Sequence, residues 1–424
     1  MSCRCGLLFS APLVLLALGG CTKPGPNLIL ISLDDLRVDR LGCYGYQRPT
    51  SPFIDALAEK STVFADVVTQ FTSTRYSHLA LLTGQYPFSS RQEPLLAQVL
   101  RKEGFRTAGF TGGGFMHHQY GFDRGFEVFS DSQQYKGLQV SLPQILPWLR
   151  EHYKERFFLL VHTYDAHCPW APPEPYRSMF VGEKARRFEI DGKCDNNYYN
   201  AFGMTPEDYD VLSDVYDGNV RWTDALVGQL LQEIARLGLD ENTVIVVIAD
   251  HGEVLGTEGV MGHGKLYEEE VHVPLIMYVP HEAAQRVLEP AQLIDVMPTV
   301  LHLLNVDAPP ALDGVDLVPY MRGKLSFGGK RLRITQAVEG ERAIRANATW
   351  KLVVGKRSAP DRLFNIQRNP LQDVSRDNPA ITRLLHHQLD RALSGAKDLV
   401  NRPLATETLA PELRVQLKSL GYLE

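Results

Sequence analysis

The sequence is short of basic residues, of cysteine and of any apolar run long enough to cross a bilayer. Its 44 Lys+Arg are outnumbered by 50 Asp+Glu, giving a formal net charge of −6. A nucleic-acid surface calls for a basic excess, so that class of partner is set aside. Six cysteines in 424 residues make neither a disulfide scaffold nor a zinc-ribbon array. No internal repeat or low-complexity tract is present. Charged residues make up only 22% against 44% hydrophobic, which excludes a disordered chain and allows a large core. Length points to two or three units of roughly 150 residues, fewer where one is a large α/β domain. What remains is a slightly acidic globular protein of enzyme size.

Leu7 to Leu18 (LLFSAPLVLLAL) is apolar but too short to span a membrane. It follows Arg4 and runs into Leu18-Gly19-Gly20-Cys21, the layout of an export signal. Small residues directly before a cysteine resemble the bacterial lipobox, which implies a signal peptide over 1–20 and lipidation of Cys21. Acyl chains there would anchor the protein to a membrane without crossing it, with its chemistry facing the periplasm or exterior. Thr22 in the next position is compatible with outer-membrane sorting. Cys43, Cys168 and Cys194 then remain, enough for one disulfide, with Cys168–Cys194 the favoured pair.

Apolar strands alternate with helical patterns through most of the chain. Asn27–Ser32 (NLILIS), Phe157–His162 (FFLLVH), Thr243–Ala249 (TVIVVIA) and Val273–Val279 (VPLIMYV) are continuous apolar runs, as in strands buried on both faces. Arg106–Thr111 reads as a further strand. Helices are expected after Ser51-Pro52, over Pro94–Glu103, from Thr205-Pro206-Glu207 to near Gly238, and over Ile294–Leu304. The alternation predicts an α/β fold, a mostly parallel sheet sandwiched by helices. After Gly323 the texture changes to short amphipathic strands and then to helix from about Ala380, which predicts a small C-terminal α+β subdomain over 326–424 behind a main domain over 21–325.

Polar residues cluster where the buried strands end. One run closes on Asp34-Asp35 and another on Asp250-His251-Gly252-Glu253. Ligands of open α/β sheets gather at such carboxyl ends. Adjacent carboxylates repel unless a cation separates them, and three with an imidazole form a divalent-metal shell.

The segment TSTRYSHLALLTGQYP (Thr72–Pro87) resembles the signature of the sulfatase family of the alkaline phosphatase superfamily, nucleophile-x-Pro-Ser-Arg-x-x-x-(Leu/Met)-Thr-Gly. Aligned on Leu82-Thr83-Gly84, Thr74 takes the nucleophile position, Tyr76 the proline, Ser77 the serine and His78 the arginine. Five further stretches resemble the family in order: PNLILISLDDLRVDRLGCYGY, GFDRGFEVF, HTYDAHCPWAPP, ADHGE with MGHGKLYEEEVHVPLI, and QLIDVMPTVLHLLNV followed by RLFNIQRNP. The resemblance implies an alkaline-phosphatase-like fold and a hydrolase of sulfate or phosphate esters. It implies metal ligands Asp34, Asp35, Asp250 and His251 with Thr74 completing the shell. His167, His263 and His78 are then catalytic candidates facing the anionic group, and Lys265 and Ser77 are substrate-binding candidates. Ser73 and Ser77 are alternative nucleophiles out of register, while His162, inside a strand run, reads as a core histidine. A hydroxyl at this position gains reactivity from a bound cation and from the amides of the helix that begins here.

Three departures stand out. Threonine replaces the Cys or Ser that sulfatases mature to formylglycine, and its methyl forbids that aldehyde. Histidine replaces the signature arginine. The family's Gly-Lys-Trp-His stretch reads Gly109-Phe110-Thr111-Gly112-Gly113. The expectation is one divalent ion (Ca, Mn or Zn), no formylglycine, and a sulfated or phosphorylated small-molecule, glycan or lipid substrate. A phosphodiesterase or phospho-group transferase of the envelope, and a non-catalytic binding protein on the same scaffold, are the alternatives.

Overall fold

The computed structural model describes residues 25–89, 94–131, 137–181, 204–328, 330–356, 359–394 and 410, 411, 414 and 415. The leader with Cys21, and Cys194, lie outside the described residues. Cys168 is disulfide-bonded and Cys43 is free.

Eight strands form the central sheet: β1 (Asn27–Leu33), β2 (Thr62–Phe64), β3 (Arg106–Phe110), β4 (Val128–Ser130), β5 (Phe157–Thr163), β6 (Thr243–Ile248), β7 (Leu275–Tyr278) and β8 (Gln285–Val287). Their order is β8-β2-β7-β6-β1-β5-β3-β4. All neighbours are parallel except β7, which runs antiparallel to both β6 and β2. Every residue of β1, β5 and β6 is buried, which is why these strands are apolar without alternation. Helices cover them. α1 (Pro52–Ala58) and α4 (Leu138–His152) pack along α5 (Pro206–Arg236), and α2 (Thr74–Thr83) packs against α3 (Leu96–Lys102) and α6 (Val296–Leu303). α5 starts where predicted, with a Thr205–Asp208 capping box. α4 was not legible in the sequence, because Pro143 and Pro147 interrupt its pattern.

The C-terminal part is a five-stranded antiparallel sheet, β9 (Leu332–Gln336), β10 (Arg342–Ala346), β11 (Trp350–Val354), β12 (Arg362–Asn365) and β13 (Asn369–Asp373), followed by α7 (Pro379–Leu393). Alternation sorts its two faces. Ile334, Ile344, Leu352 and Leu363 line up across four strands and pack with Leu385 and Leu389 of α7. The opposite face carries Arg333, Arg345 and Lys351 side by side in register. Three cations in a row repel each other unless acids sit over them. Asp66 and Glu268 of the main domain do so. Asp66 Oδ1 lies 2.6 Å from Arg333 and 3.2 Å from Arg345, and Glu268 lies 3.3 Å from Arg345 and 2.9 Å from Lys351. Burial would raise Glu268, but Lys351 and Arg345 hold its carboxyl well below the ordinary range.

Removing one acid from this buried set leaves cations uncompensated, which costs about 3–5 kcal/mol. Glu268→Gln should fall toward the lower end, because the Glu268 side chain keeps 22% exposure. The urea midpoint reads the loss, and Glu268→Gln with Lys351→Met should cost less than the two single changes summed.

Candidate active site

β1 ends in Asp34 and Asp35, β5 leads into His167, and β6 leads into Asp250, His251 and Glu253, so three neighbouring parallel strands deliver their polar residues to one edge. α2 begins at Thr74 beside them, with Ser73 as its N-cap and Gly84, at φ 64°, closing it in the left-handed region. Asp34, Asp35, Thr74, His78, Asp250 and His251 are completely buried. Glu253 and His167 are nearly so, and the His263 side chain, 13% exposed, reaches the open side.

Four imidazoles are oriented the same way. Nδ1 of His78 meets the Thr74 carbonyl at 2.8 Å, Nδ1 of His162 the Thr111 carbonyl at 2.8 Å, Nδ1 of His251 the Gly252 carbonyl at 3.1 Å, and Nδ1 of His167 the Cys168 carbonyl. A carbonyl oxygen only accepts, so each Nδ1 carries the hydrogen and each neutral ring presents a lone pair on Nε2. For His78 that lone pair accepts from Ser32 Oγ at 2.8 Å. The other three face carboxylates. His162 Nε2 lies 3.4 Å from Asp34 Oδ2. His251 Nε2 lies 3.5 Å from Asp250 Oδ2 and 3.8 Å from Asp34 Oδ1. His167 Nε2 lies 3.4 Å from Asp35 Oδ2. A lone pair aimed at a carboxylate is repulsive until a cation stands between them. Such separations are long for hydrogen bonds. The shorter ones approach the spacing of two donor atoms each about 2.1 Å from one metal ion, which are about 3.0–3.4 Å apart.

The ionisable groups carry the same signature. Burial pushes Asp250 up to about 7, with the Asp34 charge adding to it. Burial raises Asp35 well above the ordinary range and the Glu253 charge adds to that. Without a metal, burial would lower His251 and His162 but the neighbouring carboxylates raise both, and burial would raise Asp34 but the imidazoles, once protonated, hold it low. Asp250 Oδ2, His251 Nε2, His162 Nε2 and Asp35 Oδ2 are buried without a hydrogen-bond partner, while Asp35 Oδ1 lies 2.8 Å from His251 Nδ1. Asp34, Asp250 and His251 offer donor atoms within 4.8 Å of one another. A divalent ion fits this donor set.

The candidates read from the sequence sort as follows. Asp34, Asp250 and His251 converge, with Thr74 Oγ1 3.3 and 3.5 Å from the Asp34 oxygens. Asp35, whose backbone is left-handed at φ 59°, groups instead with His167 and His263. Tyr216 of α5 fixes that turn, its hydroxyl donating to the Asp35 carbonyl at 2.6 Å and accepting from Arg37 N–H at 2.9 Å. His78 is a positioning residue: both nitrogens are paired and burial, with His162 adding, takes it down to about 3, so it presents no charge to an anion. Ser77 is likewise structural here, donating to the Asp250 carbonyl at 2.8 Å and lying 2.9 Å from Thr69 Oγ1. The Lys265 ammonium pairs with Glu339 of the C-terminal part at 2.6 Å. His162, read from the sequence as a core residue, is in contact with Asp34. The available signal was its place one residue before the end of an otherwise apolar strand, level with Ser32. Glu253 sits 3.9 Å from His263.

The sulfatase family's sequence model matches residues 26–306. Human arylsulfatase A is 28% identical, over 73% of this chain and 70% of that protein. The ulvan-active sulfatase of Formosa agariphila is 24% identical over 69% of this chain, which spans 64% of that protein's length. Among solved structures, the phosphonate monoester hydrolase of Agrobacterium radiobacter superposes with a TM-score of 0.71 at 18% identity, covering 87% of this chain and 96% of that one. A protein solved with its substrate D-glucosamine-2-N,6-O-disulfate gives 0.75 at 17%, covering 87% and 98%. The structural likeness establishes the shared fold, and with the family match over about two thirds of its length, the chain belongs to the sulfatase family.

Proposed function

We propose that this protein is a metal-dependent ester hydrolase that cleaves sulfate or phosphate esters through Thr74. The observation that carries the reading is the position of the Thr74 hydroxyl, 3.3 Å from Asp34 at the first turn of α2, beside the Asp34–Asp250–His251 donor set. A divalent ion held there would neutralise the carboxylates and lower the pKa of the hydroxyl. The residues do the rest. Thr74 Oγ1 forms a bond to sulfur or phosphorus as the bond to the leaving oxygen breaks, and the proton given up by the hydroxyl is matched by the one taken up by that oxygen, which departs as an alcohol. The N–H groups at the start of α2 favour the charge on the transferred group. Water then attacks sulfur or phosphorus, breaking its bond to Oγ1 and restoring the hydroxyl. Sulfated glycans and small sulfate esters are the substrates proposed first, since the similar proteins include an ulvan-active sulfatase, a choline-sulfatase and arylsulfatases. We also propose a place in the cell envelope, held by lipid on Cys21, supported by the apolar leader and the small residues before that cysteine.

Three outcomes are expected. Thr74→Ala lowers turnover of an aryl sulfate or a phosphate ester by roughly 10³-fold or more while Thr74→Ser retains activity, and the intact mass shows threonine unmodified. Turnover that survives Thr74→Ala overturns the nucleophile. Chelation of the purified protein lowers its melting temperature, and manganese or zinc restores it, by the linkage of binding to stability. The restoration should be lost in Asp34→Asn. Cys21→Ala moves the protein from the membrane fraction to the soluble fraction, and an unchanged distribution overturns the anchor.

A further inference from the structure

We propose that Arg75 reads a second negative charge on the substrate, so that the preferred esters carry another anionic group beside the one being cleaved. The inference rests on the reading of Thr74 given above and adds the substrate class. Thr74 and Arg75 are the first two residues of α2. Successive side chains on a helix are turned by about 100°. With the Thr74 hydroxyl on Asp34, the Arg75 side chain is therefore directed beside the donor set rather than into it. Thr74, Ser77 and His78 are buried, whereas Arg75, Tyr76 and Leu79 are half-buried and form the open side of the helix. The Arg75 guanidinium lies 4.2 Å from the centre of the Tyr120 ring and 5.5 Å from that of Tyr76. It makes no hydrogen bond or ion pair among the described residues. The buried arginines Arg37, Arg333 and Arg345 all sit on carboxylates.

The surroundings keep that cation in place without neutralising it. An aromatic face attracts a guanidinium but leaves its N–H groups to donate elsewhere, in the fork that suits a carboxylate, sulfate or phosphate. The rings are themselves packed, Tyr76 on Phe71 with centroids 4.7 Å apart and Tyr120 on Phe115 at 6.1 Å. The loop that carries Tyr120 follows β3 and is clamped to the site by Tyr164. The Tyr164 hydroxyl accepts from Phe115 N–H and donates to the Gly113 carbonyl, both at 3.1 Å, while its ring lies 4.6 Å from His162 and 5.8 Å from His167. The acid near this loop, Asp131, is already occupied, accepting from His118 N–H at 2.6 Å and lying 2.8 Å from His118 Nδ1. The Tyr120 hydroxyl is buried without a partner. Burial raises its pKa, with the Arg75 charge opposing, so the phenol keeps its hydrogen. The corner beside Thr74 thus holds a fixed positive charge with no acid to balance it.

The test compares 3- and 4-carboxyphenyl esters with their carbamoylphenyl counterparts, which match them in size and differ by one charge. Both are offered as sulfates and as phosphates to the full-length chain purified in detergent. The unaltered chain is expected to favour a carboxylate ester by about tenfold or more in kcat/KM at low salt, the scale of a hydrogen bond to a charged group. The preference should collapse in Arg75→Gln and be kept in part by Arg75→Lys, whose point charge lacks the fork. No preference in the unaltered chain, or one that survives Arg75→Gln, overturns the proposal. Should Arg75→Gln fail to fold, a preference undiminished in Arg75→Lys overturns it. If no ester turns over, the reaction assigned to Thr74 has failed, and calorimetry with benzene-1,3-disulfonate and benzenesulfonate decides on Arg75. Tighter binding of the disulfonate that is lost in Arg75→Gln supports the proposal, and equal binding of the two overturns it.

Discussion

Four carboxylates, those of Asp34, Asp35, Asp250 and Glu253, stand at one edge of the sheet where almost none of their surface meets water. Burying one such charge costs several kcal/mol even after the surroundings relax, and four together are untenable without compensation. The protein answers with imidazoles, and it spends backbone carbonyls to orient them. Gly252 and Cys168 hold the histidine beside each in sequence, Thr74 holds His78 one turn along α2, and Thr111 at the end of β3 holds His162 on β5. The last contact exists only because β3 and β5 pair in parallel register, with Phe110 opposite Val161. The order of the central strands is therefore also what aims the site's nitrogen lone pairs.

The surrounding structure serves to keep those groups in place. Glu268, Glu269 and Glu270 sit on one short helical turn, where consecutive side chains point in different directions. Glu268 reaches the cation row of the C-terminal sheet, and Glu269 lies 3.0 Å from Arg37 behind Asp35. Glu270 accepts from the backbone N–H groups of Gly264 and Lys265, bracing the loop that carries His263. Gly252 closes the arrangement, since a Cβ there would lie 2.1 Å from the Glu269 carbonyl. The C-terminal sheet is in this way tied through one turn to the loops at the ends of β1 and β6. Lys265 belongs to the same joint, with its ammonium on Glu339.

Much of the fold was legible because parallel strands buried on both faces leave long apolar runs, and β1, β5, β6 and β7 lie within a residue or two of where they were read. The acidic strand ends were legible for the same reason, as polar residues that stop an apolar run. His162 was not, because one polar residue inside a strand looks like a satisfied core histidine until the partner strand is known. The division between Asp34 and Asp35 was not legible either. It depends on a single left-handed backbone at Asp35, and aspartate adopts that conformation without any mark in the sequence. Ser77 matches the signature serine and His78 stands where the signature has arginine, yet their partners are Asp250 O, Thr69, Ser32 and Thr74 O. A motif records that a residue type recurs, and only the packing distinguishes contact with substrate from support of a neighbour.

The histidine at position 78 and the threonine at position 74 can be understood together. A guanidinium at 78 would bring a fixed positive charge beside Asp34 and Asp250, whereas a buried neutral imidazole adds none and takes its hydrogen bonds from Ser32 and the Thr74 carbonyl. The carboxylates are then left to be balanced by whatever cations the site binds. Threonine cannot mature to the aldehyde, so under the proposed reaction an ester on Thr74 would have no hydrate through which to release the anion, and water would have to attack sulfur or phosphorus directly. That second attack needs the transferred group held and its charge neutralised after the alcohol has gone. A divalent ion held by Asp34, Asp250 and His251 would supply part of that neutralisation, with the N–H groups at the start of α2 supplying the rest. On this reading the neutral imidazole at 78 leaves the charge of the transferred group to the bound cation and to the imidazoles at the ends of β5 and β6.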